Sequence, residues 1–160
     1  MEQVQGKLYD TMNRSKDFAA NASNPERFLD AADMIIASRD RKCIGSLLSY
    51  FDDESTFPWV FDSLIRSMES FPDNVYTEEI LKGLHESIEK IPIWTGEICN
   101  RLFNNTTCFE LFRQKLSLAP KEVLLKLFDL MERESPHHRE LLSQLRQDVL
   151  KLPETREPEC

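Results

Sequence analysis

The chain has 160 residues, of which 41% are hydrophobic and 30% charged, and it carries a formal net charge of −8. This composition is that of a globular protein, which excludes a disordered or fibrous chain. It has no basic start followed by an apolar run and no apolar stretch near the ~20 residues of a membrane-spanning helix, so we predict a cytosolic protein.

Apolar residues recur at helical spacing along most of the chain, and only four glycines occur, which favours helices over sheet. A first helix is predicted from Val4 to about Ala20. Ser23-Asn24-Pro25 is a start signal for a second helix, and Asp40 can cap a short third one. The acidic run Asp52–Ser55 is predicted to be a loop.

Further helices are predicted in the rest of the chain. Thr56 is expected to cap one that ends at Phe71-Pro72-Asp73-Asn74, and Thr77 to open the next, with Glu78 and Glu79 in its first turn. Four more are expected to begin at Pro92, after the turn 104–107, at Pro120 and at Pro136. Residues 153–160 lack apolar periodicity, so we predict a single helical domain over residues 1–152 and a flexible C-terminal tail.

Prolines mark the start of helix pairs at regular intervals. Pro25, Pro58, Pro92 and Pro120 follow one another at intervals of 33, 34 and 28 residues. A helix pair that recurs every ~30–45 residues is typical of an α-solenoid. We therefore predict an all-α fold, with an N-terminal helix followed by a HEAT- or armadillo-like stack of about four helix pairs. The alternative is an irregular helical bundle with prolines at ordinary helix starts.

The negative charge is concentrated in one quarter of the chain. Residues 51–90, which we call the acidic segment, contain ten acids and three bases, a net charge of −7. The other 120 residues contain 18 acids and 17 bases. A concentrated negative field attracts a basic partner and speeds its association, so the charge distribution indicates binding of a basic protein.

No sequence pattern typical of catalysis or metal binding occurs. The histidines and cysteines have no zinc-ligand spacing, and His137-His138 is interpreted as an exposed helical turn. The four cysteines are interpreted as mostly buried free thiols, with a Cys99–Cys108 disulfide as the less favoured alternative. There is no phosphate-binding glycine loop or nucleophile elbow, and the basic cluster 39–42 is short and interrupted. We expect no enzyme activity, no cofactor, no metal, no small-molecule substrate and no nucleic-acid or membrane partner.

Phe57, Trp59 and Phe61 alternate around Pro58, and alternating residues cannot share one face of a helix. If Phe61 points to the core, Trp59 or Phe57 must point elsewhere. Trp59 either packs on a neighbouring helix pair or is a partly exposed interface anchor inside an acidic rim. Trp94 follows Pro92 in the same relative place and is interpreted as a core residue.

The residues from Leu47 to Glu134 resemble a known protein family. The resemblance lies in Leu47-Leu48-Ser49-Tyr50-Phe51-Asp52-Asp53-Glu54-Ser55, then Pro58 and Glu69-Ser70-Phe71, and further along in Leu84, Trp94, Leu102 and Ser117-Leu118-Ala119-Pro120. This pattern is similar to the all-helical immunity protein 30 family of bacterial polymorphic toxin and contact-dependent growth inhibition systems. The most specific part of this pattern is the run from Tyr50 to Glu54. The chain departs from the family pattern at Phe57 and Trp59.

The resemblance implies an immunity protein that is made beside a toxin, binds it in the cytosol and blocks its active site or substrate groove. Many such toxins are nucleases and therefore basic, in agreement with the charge of the acidic segment. We predict a non-enzymatic inhibitor of one cognate toxin domain. Its expected contact residues are Asp52, Asp53, Glu54, Trp59, Glu69, Asp73, Glu78 and Glu79. The alternative is a helical-repeat adaptor that binds other proteins without a toxin partner.

Overall fold

The computed structural model describes residues 2–152 and confirms the all-α class, with no strand in that range. Its helices are α1 (Glu2–Ser15), α2 (Asn24–Ala37), α3 (Cys43–Leu48), α4 (Pro58–Met68), α5 (Asp73–Lys90), α6 (Pro92–Asn104), α7 (Thr106–Gln114), α8 (Lys121–Glu134) and α9 (Arg139–Leu150), with 3₁₀ turns at Leu116–Leu118 and Pro136–His138. The predicted tail, residues 153–160, lies outside the described residues. The chain divides into two compact units, unit 1 (Met1–Pro72) and unit 2 (Asp73–Cys160).

Helix α2 is the centre of unit 1, because α1, α3 and α4 each pack on it. Pro25 lies in its first turn, where the missing N–H costs no hydrogen bond. Helix α1 ends at Ser15 rather than near Ala20. Asp17 Oδ1 accepts the Ala20 N–H at 3.2 Å, and its carbonyl accepts the Asn24 side-chain amide at 2.7 Å. These bonds hold a turn where the helix was predicted to continue.

Six aromatic rings lie together in unit 1. We call Phe18, Phe28, Tyr50, Phe51, Phe57 and Phe61 the aromatic cluster. Three of its rings lie 5.2–6.0 Å from the ring of Phe18, and Phe51 stacks on Phe61 at a centroid distance of 5.1 Å. Aromatic pairs at such distances add ~0.5–1.5 kcal/mol each to the effect of burial. The cluster therefore holds the chain on both sides of the predicted loop against α2.

In unit 2, helices α5, α6 and α7 pack on one another, α8 packs on α5 and α6, and α9 packs on α8. Ion pairs join the last helices: Arg146 contacts Asp129 at 2.6 Å and Glu132 at 3.2 Å. Arg113 of α7 contacts Asp148 of α9 at 2.5 Å, and this hydrogen bond lowers the pKa of the Asp148 carboxyl. The packing of α6 on α7 and of α8 on α9 is that of helix pairs, while the solenoid stacking of all pairs stays a prediction.

Several helix starts differ from the sequence prediction. The N-cap of α3 is Lys42 rather than Asp40, α7 begins at Thr106 inside the predicted turn, and a 3₁₀ turn at Pro136–His138 precedes α9. Helix α5 begins at Asp73, not at Thr77, so Glu78 and Glu79 lie in its second turn. Pro72-Asp73 acts as a start rather than a break, because a carboxylate is favourable in the first turn of a helix. The N-cap of α4 is Phe57 rather than Thr56, and no side chain caps this helix.

His138 is buried, with 3% of its surface exposed, so the interpretation of His137-His138 as an exposed turn was wrong for this residue. Its Nε2 lies 2.9 Å from Asn100 Oδ1, and its ring packs edge-to-face on Phe103 at 5.8 Å. Burial, assisted by the charge of His137, lowers the pKa of His138, against the hydrogen bond to Asn100, which raises it. The imidazole is therefore held in its neutral form.

Candidate functional site

The acidic segment is divided between the two units. Its part in unit 1, residues 51–72, has five acids and one base, a net charge of −4, and its part in unit 2, residues 73–90, has five acids and two bases, a net charge of −3. The predicted contact residues fall into two groups: Asp52, Asp53, Glu54, Trp59 and Glu69 in unit 1, and Asp73, Glu78 and Glu79 in unit 2.

The first group begins with a short turn between α3 and α4. We call residues 52–55 the acidic loop. Asp52 Oδ1 accepts the Glu54 N–H at 3.0 Å, and the Asp52 carbonyl accepts the Ser55 N–H at 3.3 Å. Asp52 and Glu54 are exposed and Asp53 is half-buried. Because the aromatic cluster holds the chain on both sides, the loop presents its carboxylates from a fixed base.

Trp59 lies in the first turn of α4, directly after the acidic loop, and is 50% exposed. Phe61 is buried, and the ring of Phe57 lies 5.8 Å from that of Phe18. The alternation around Pro58 therefore directs Trp59 away from the core, as one of the two interpretations of the sequence required. Trp94, which was interpreted as core, is half-buried.

Glu69 lies apart from the acidic loop and Trp59. It is the C-cap of α4, ten residues after Trp59, which is ~15 Å along a helix axis. The neighbouring backbone is held by Arg39, whose guanidinium donates to the Ser70 carbonyl at 2.8 Å and lies 5.6 Å from the Phe71 ring centroid. Glu69 therefore belongs to the opposite end of α4.

Two acids of the second group, Glu78 and Glu79, are engaged with lysines. Lys82 Nζ lies 2.8 Å from Glu78 Oε1 and 3.1 Å from Glu79 Oε1. The hydrogen bond that Lys82 donates to Glu78, followed by the one that it donates to Glu79, raises the pKa of Lys82. Lys115, which follows α7, contacts Glu78 Oε2 at 3.0 Å. Asp73 lies in the first turn of α5 and is half-buried. These contacts partly neutralise α5, and the one with Lys115 was not foreseen because it joins residues far apart in sequence.

An open pocket of about 500 Å³ lies beside the acidic loop in unit 1. Its charged lining residues are exposed, and its phenylalanines are buried. The charged lining residues are Lys16, Asp17 and Asp52. The aromatic ones are Phe18, Tyr50 and Phe61, and the neutral polar ones are Asn13, Ser49 and Ser55. Sequence reasoning missed this pocket, because residues 13–18 and 49–61 meet only in the fold. The Tyr50–Glu54 run pointed to one of its sides.

The described part of the chain has few groups that could act as a reactive thiol, bind a metal or span a membrane. Cys43, Cys99 and Cys108 are buried thiols that form no disulfide, which confirms their interpretation, while Cys160 lies outside the described residues. Burial raises the pKa of Cys43 to about 11, with a smaller effect of Asp40, and that of Cys99 to about 12, so both stay protonated at neutral pH. No three acidic, histidine or cysteine side chains between residues 2 and 152 converge as metal ligands would. Among the helices described, none has the length and apolarity needed to cross a membrane.

Comparison with known proteins identifies one family. Residues 16–112 match the model of immunity protein 30. The match begins before Leu47, where the resemblance was noted, and ends before Ser117, so it includes α2 to α6, all eight predicted contact residues and every lining residue of the pocket except Asn13. Searches of curated proteins and of solved structures found no match. Because the family model covers well over half of its residues, the chain belongs to the immunity protein 30 family.

Proposed function

We propose that this protein is a non-enzymatic inhibitor that binds one cognate toxin domain in the cytoplasm and neutralises it. The family match carries this proposal, since an immunity protein is defined by the toxin against which it protects. We further propose that the toxin is basic and that it is a nuclease. The charge of −7 on the acidic segment supports a basic partner, and nuclease grooves are basic because they bind phosphates.

The proposed mechanism is occlusion of the toxin's substrate groove. The carboxylates of the acidic loop take the place of substrate phosphates, and Trp59 supplies apolar burial beside them. A large aromatic side chain next to polar groups is the arrangement found in interface hot spots. Because the aromatic cluster already holds this region, little conformational entropy is lost when the partner docks.

The other predicted contact residues are proposed to contribute less. Glu78 and Glu79 already bond Lys82 and Lys115, so a basic group of the toxin would compete with these lysines. Glu69 lies at the end of α4 opposite to the acidic loop, and Asp73 belongs to the first turn of α5 in unit 2. We expect these four acids to attract the toxin at a distance more than to contact it.

Co-production with a toxin tests the proposed function. The toxin domain is taken from the reading frame next to the gene, expressed with and without this chain, and cell survival and complex formation are measured. We expect the chain to protect the cells and to co-purify with the domain. Cell death together with the absence of a complex would refute the proposal. Harmless deletion of the gene in its own host would favour the adaptor alternative.

Replacement of Trp59 tests the proposed interface. Trp59→Ala should weaken binding to the toxin domain by ~2 kcal/mol or more, about 30-fold in Kd, because a hot-spot aromatic is lost. Ile93→Ala is the matched control: Ile93 also follows a proline in the first turn of its helix, and it is 66% exposed. Calorimetric titration measures both affinities, and thermal unfolding checks the fold. Equal affinities of the two variants would remove Trp59 from the interface.

A further inference from the structure

Arg39 has a backbone conformation that residues other than glycine rarely adopt. Its φ is 58°, and no other residue in the described part of the chain has a positive φ. A side chain is unfavourable in this left-handed region, because its Cβ lies too close to the neighbouring carbonyl oxygen. Arg39 is the second residue after the end of α2, a position where glycine is the usual residue for this conformation. The backbone of Arg39 is therefore strained.

The side chain of Arg39 makes two contacts with the chain that follows α4. Its Nη1 donates to the Ser70 carbonyl at 2.8 Å, and its guanidinium carbon lies 5.6 Å from the centroid of the Phe71 ring. The carbonyl lies just after the C-terminus of α4, where the helix dipole favours a positive charge, and Phe71 is buried. We call Arg39, Ser70 and Phe71 the Arg39 clamp. Both contacts use atoms that a glycine at position 39 would lack.

The contacts of Arg39 fall on the connection between α4 and α5. This connection is residues 69–72, and its first three N–H groups donate to carbonyls in the last turn of α4 at 2.9–3.1 Å. Helix α4 itself is joined to α2 slightly earlier, where the Ser67 hydroxyl donates to Asp33 Oδ1 at 2.6 Å. Hydrogen bonds at the end of a helix open more easily than those in its interior. The Arg39 clamp therefore extends the attachment to α2 onto the residues that would otherwise open first.

We infer that the Arg39 clamp controls the local opening of residues 69–72, and that this role explains an arginine at a position that favours glycine. In the closed state, the two side-chain contacts hold the connection and offset the strained φ of Arg39. In the open state, the side chain is released and the backbone of Arg39 can leave the left-handed region, so relief of the strain favours opening. The clamp thus sets how often the chain between α4 and α5 opens.

Hydrogen exchange of the full-length chain, followed amide by amide by NMR, tests this inference. Arg39→Gly removes both contacts but suits the left-handed φ, so it separates the side chain from the backbone conformation. We expect the amides of Glu69, Ser70 and Phe71 to exchange about tenfold faster in this variant. The amides of residues 38 and 39, which cap α2, should exchange no faster than in the parent protein.

Two further variants control for charge. Arg39→Lys keeps a positive charge but not the planar fork of the guanidinium, so exchange at residues 69–71 should be about threefold faster than in the parent protein. Arg27→Ala removes the same charge from an exposed position in the first turn of α2 and should leave exchange at residues 69–71 unchanged. A loss of protection in Arg27→Ala equal to that in Arg39→Gly would overturn the inference, because net charge alone would then explain it.

Urea unfolding of the same variants distinguishes a local clamp from general stabilisation. The free energy of unfolding of Arg39→Gly should equal that of the parent protein, because relief of the backbone strain offsets the lost contacts. Unchanged exchange of residues 69–71 in Arg39→Gly would show that the side chain does not hold the connection. Equally faster exchange throughout α2 and α4, with a lower free energy of unfolding, would make Arg39 a general stabilising residue and would also overturn the inference.

Discussion

The buried imidazole of His138 shows how tertiary contacts decide the environment of a single polar side chain. His138 belongs to a short polar turn after Pro136, where exposure was the natural expectation. Its contacts, Asn100 and Phe103, come from α6, 38 and 35 residues earlier in the chain. No local pattern indicates such a contact, so sequence reasoning could not have found it.

The protonation of His138 predicts a pH dependence of stability. The imidazole titrates near its ordinary pKa of 6.5 in the unfolded chain and at a lower pKa in the folded chain. The unfolded chain therefore takes up the proton first as the pH falls, so the contribution of neutral His138 is complete above that ordinary pKa and is lost as the pH falls through the folded value.

We expect His138→Gln to flatten the loss of unfolding free energy between about pH 7 and about pH 5. Urea unfolding at a series of pH values measures this slope. His85→Gln is the control, because His85 is exposed, and it should keep the slope of the parent protein. A His138→Gln variant with the parent's slope would show that His138 does not take part in the pH dependence.

Helix starts were predictable from the sequence where a proline marks the first turn. Pro58 and Pro92 are the first residues of α4 and α6, and Pro120 directly precedes α8, because a proline has a fixed φ and no N–H to leave unbonded. The start of α5 was misplaced because Pro72 was taken as the end of one helix and not also as the entry to the next. Proline alone does not distinguish these two roles.

The turn between α6 and α7 predicts a measurable cap. Asn105 is the N-cap of α7, and its side chain accepts the Thr107 N–H at 2.9 Å and the Cys108 N–H at 3.2 Å. Asn105→Ala should lower the free energy of unfolding by ~1 kcal/mol. Asn104→Ala, one residue earlier at the end of α6, should change it by less than about 0.5 kcal/mol. Urea unfolding measures both, and equal effects would contradict the capping role.

The candidate site was predictable from the sequence only where it depends on neighbouring residues, and not where it depends on contacts between residues distant in sequence. That one aromatic residue near Pro58 must point outward followed from helical geometry alone, and Trp59 is that residue. The contact of Glu78 with Lys115 and the far wall of the pocket depend on residues distant in sequence. Charge counting treats all ten acids alike and cannot separate those that bind a partner from those that bond within the fold.

For the whole molecule, the distribution of charge governs how a partner arrives. Unit 1 outside the acidic segment, residues 1–50, has seven acids and seven bases, so the net charge of −4 in this unit lies within residues 51–72. An unbalanced charge of this kind accelerates encounter with a basic protein and is screened by salt over a Debye length of ~10 Å.

Charge reversal in the acidic loop tests this steering. Asp53→Lys with Glu54→Lys leaves Asp52 in place to hold the turn and should slow association with the toxin domain about tenfold at low salt and reduce its salt dependence. Glu110→Lys with Glu134→Lys makes the same change in net charge at exposed positions of unit 2. Stopped-flow association rates at several salt concentrations compare the two variants. If both slow association equally, the net charge of the whole protein steers the toxin and not the loop.

The aromatic cluster has a consequence for how such a protein can diverge. Four of its six rings come from residues that flank the acidic loop and Trp59, while Glu54 and Trp59 themselves are exposed. Exposed positions away from packing contacts tolerate substitution at little cost in stability. New toxin specificities could therefore arise by stepwise exchange of these surface residues, with the fold buffered against each step. A lineage that meets changing toxins would keep the core residues of the fold and substitute only exposed residues.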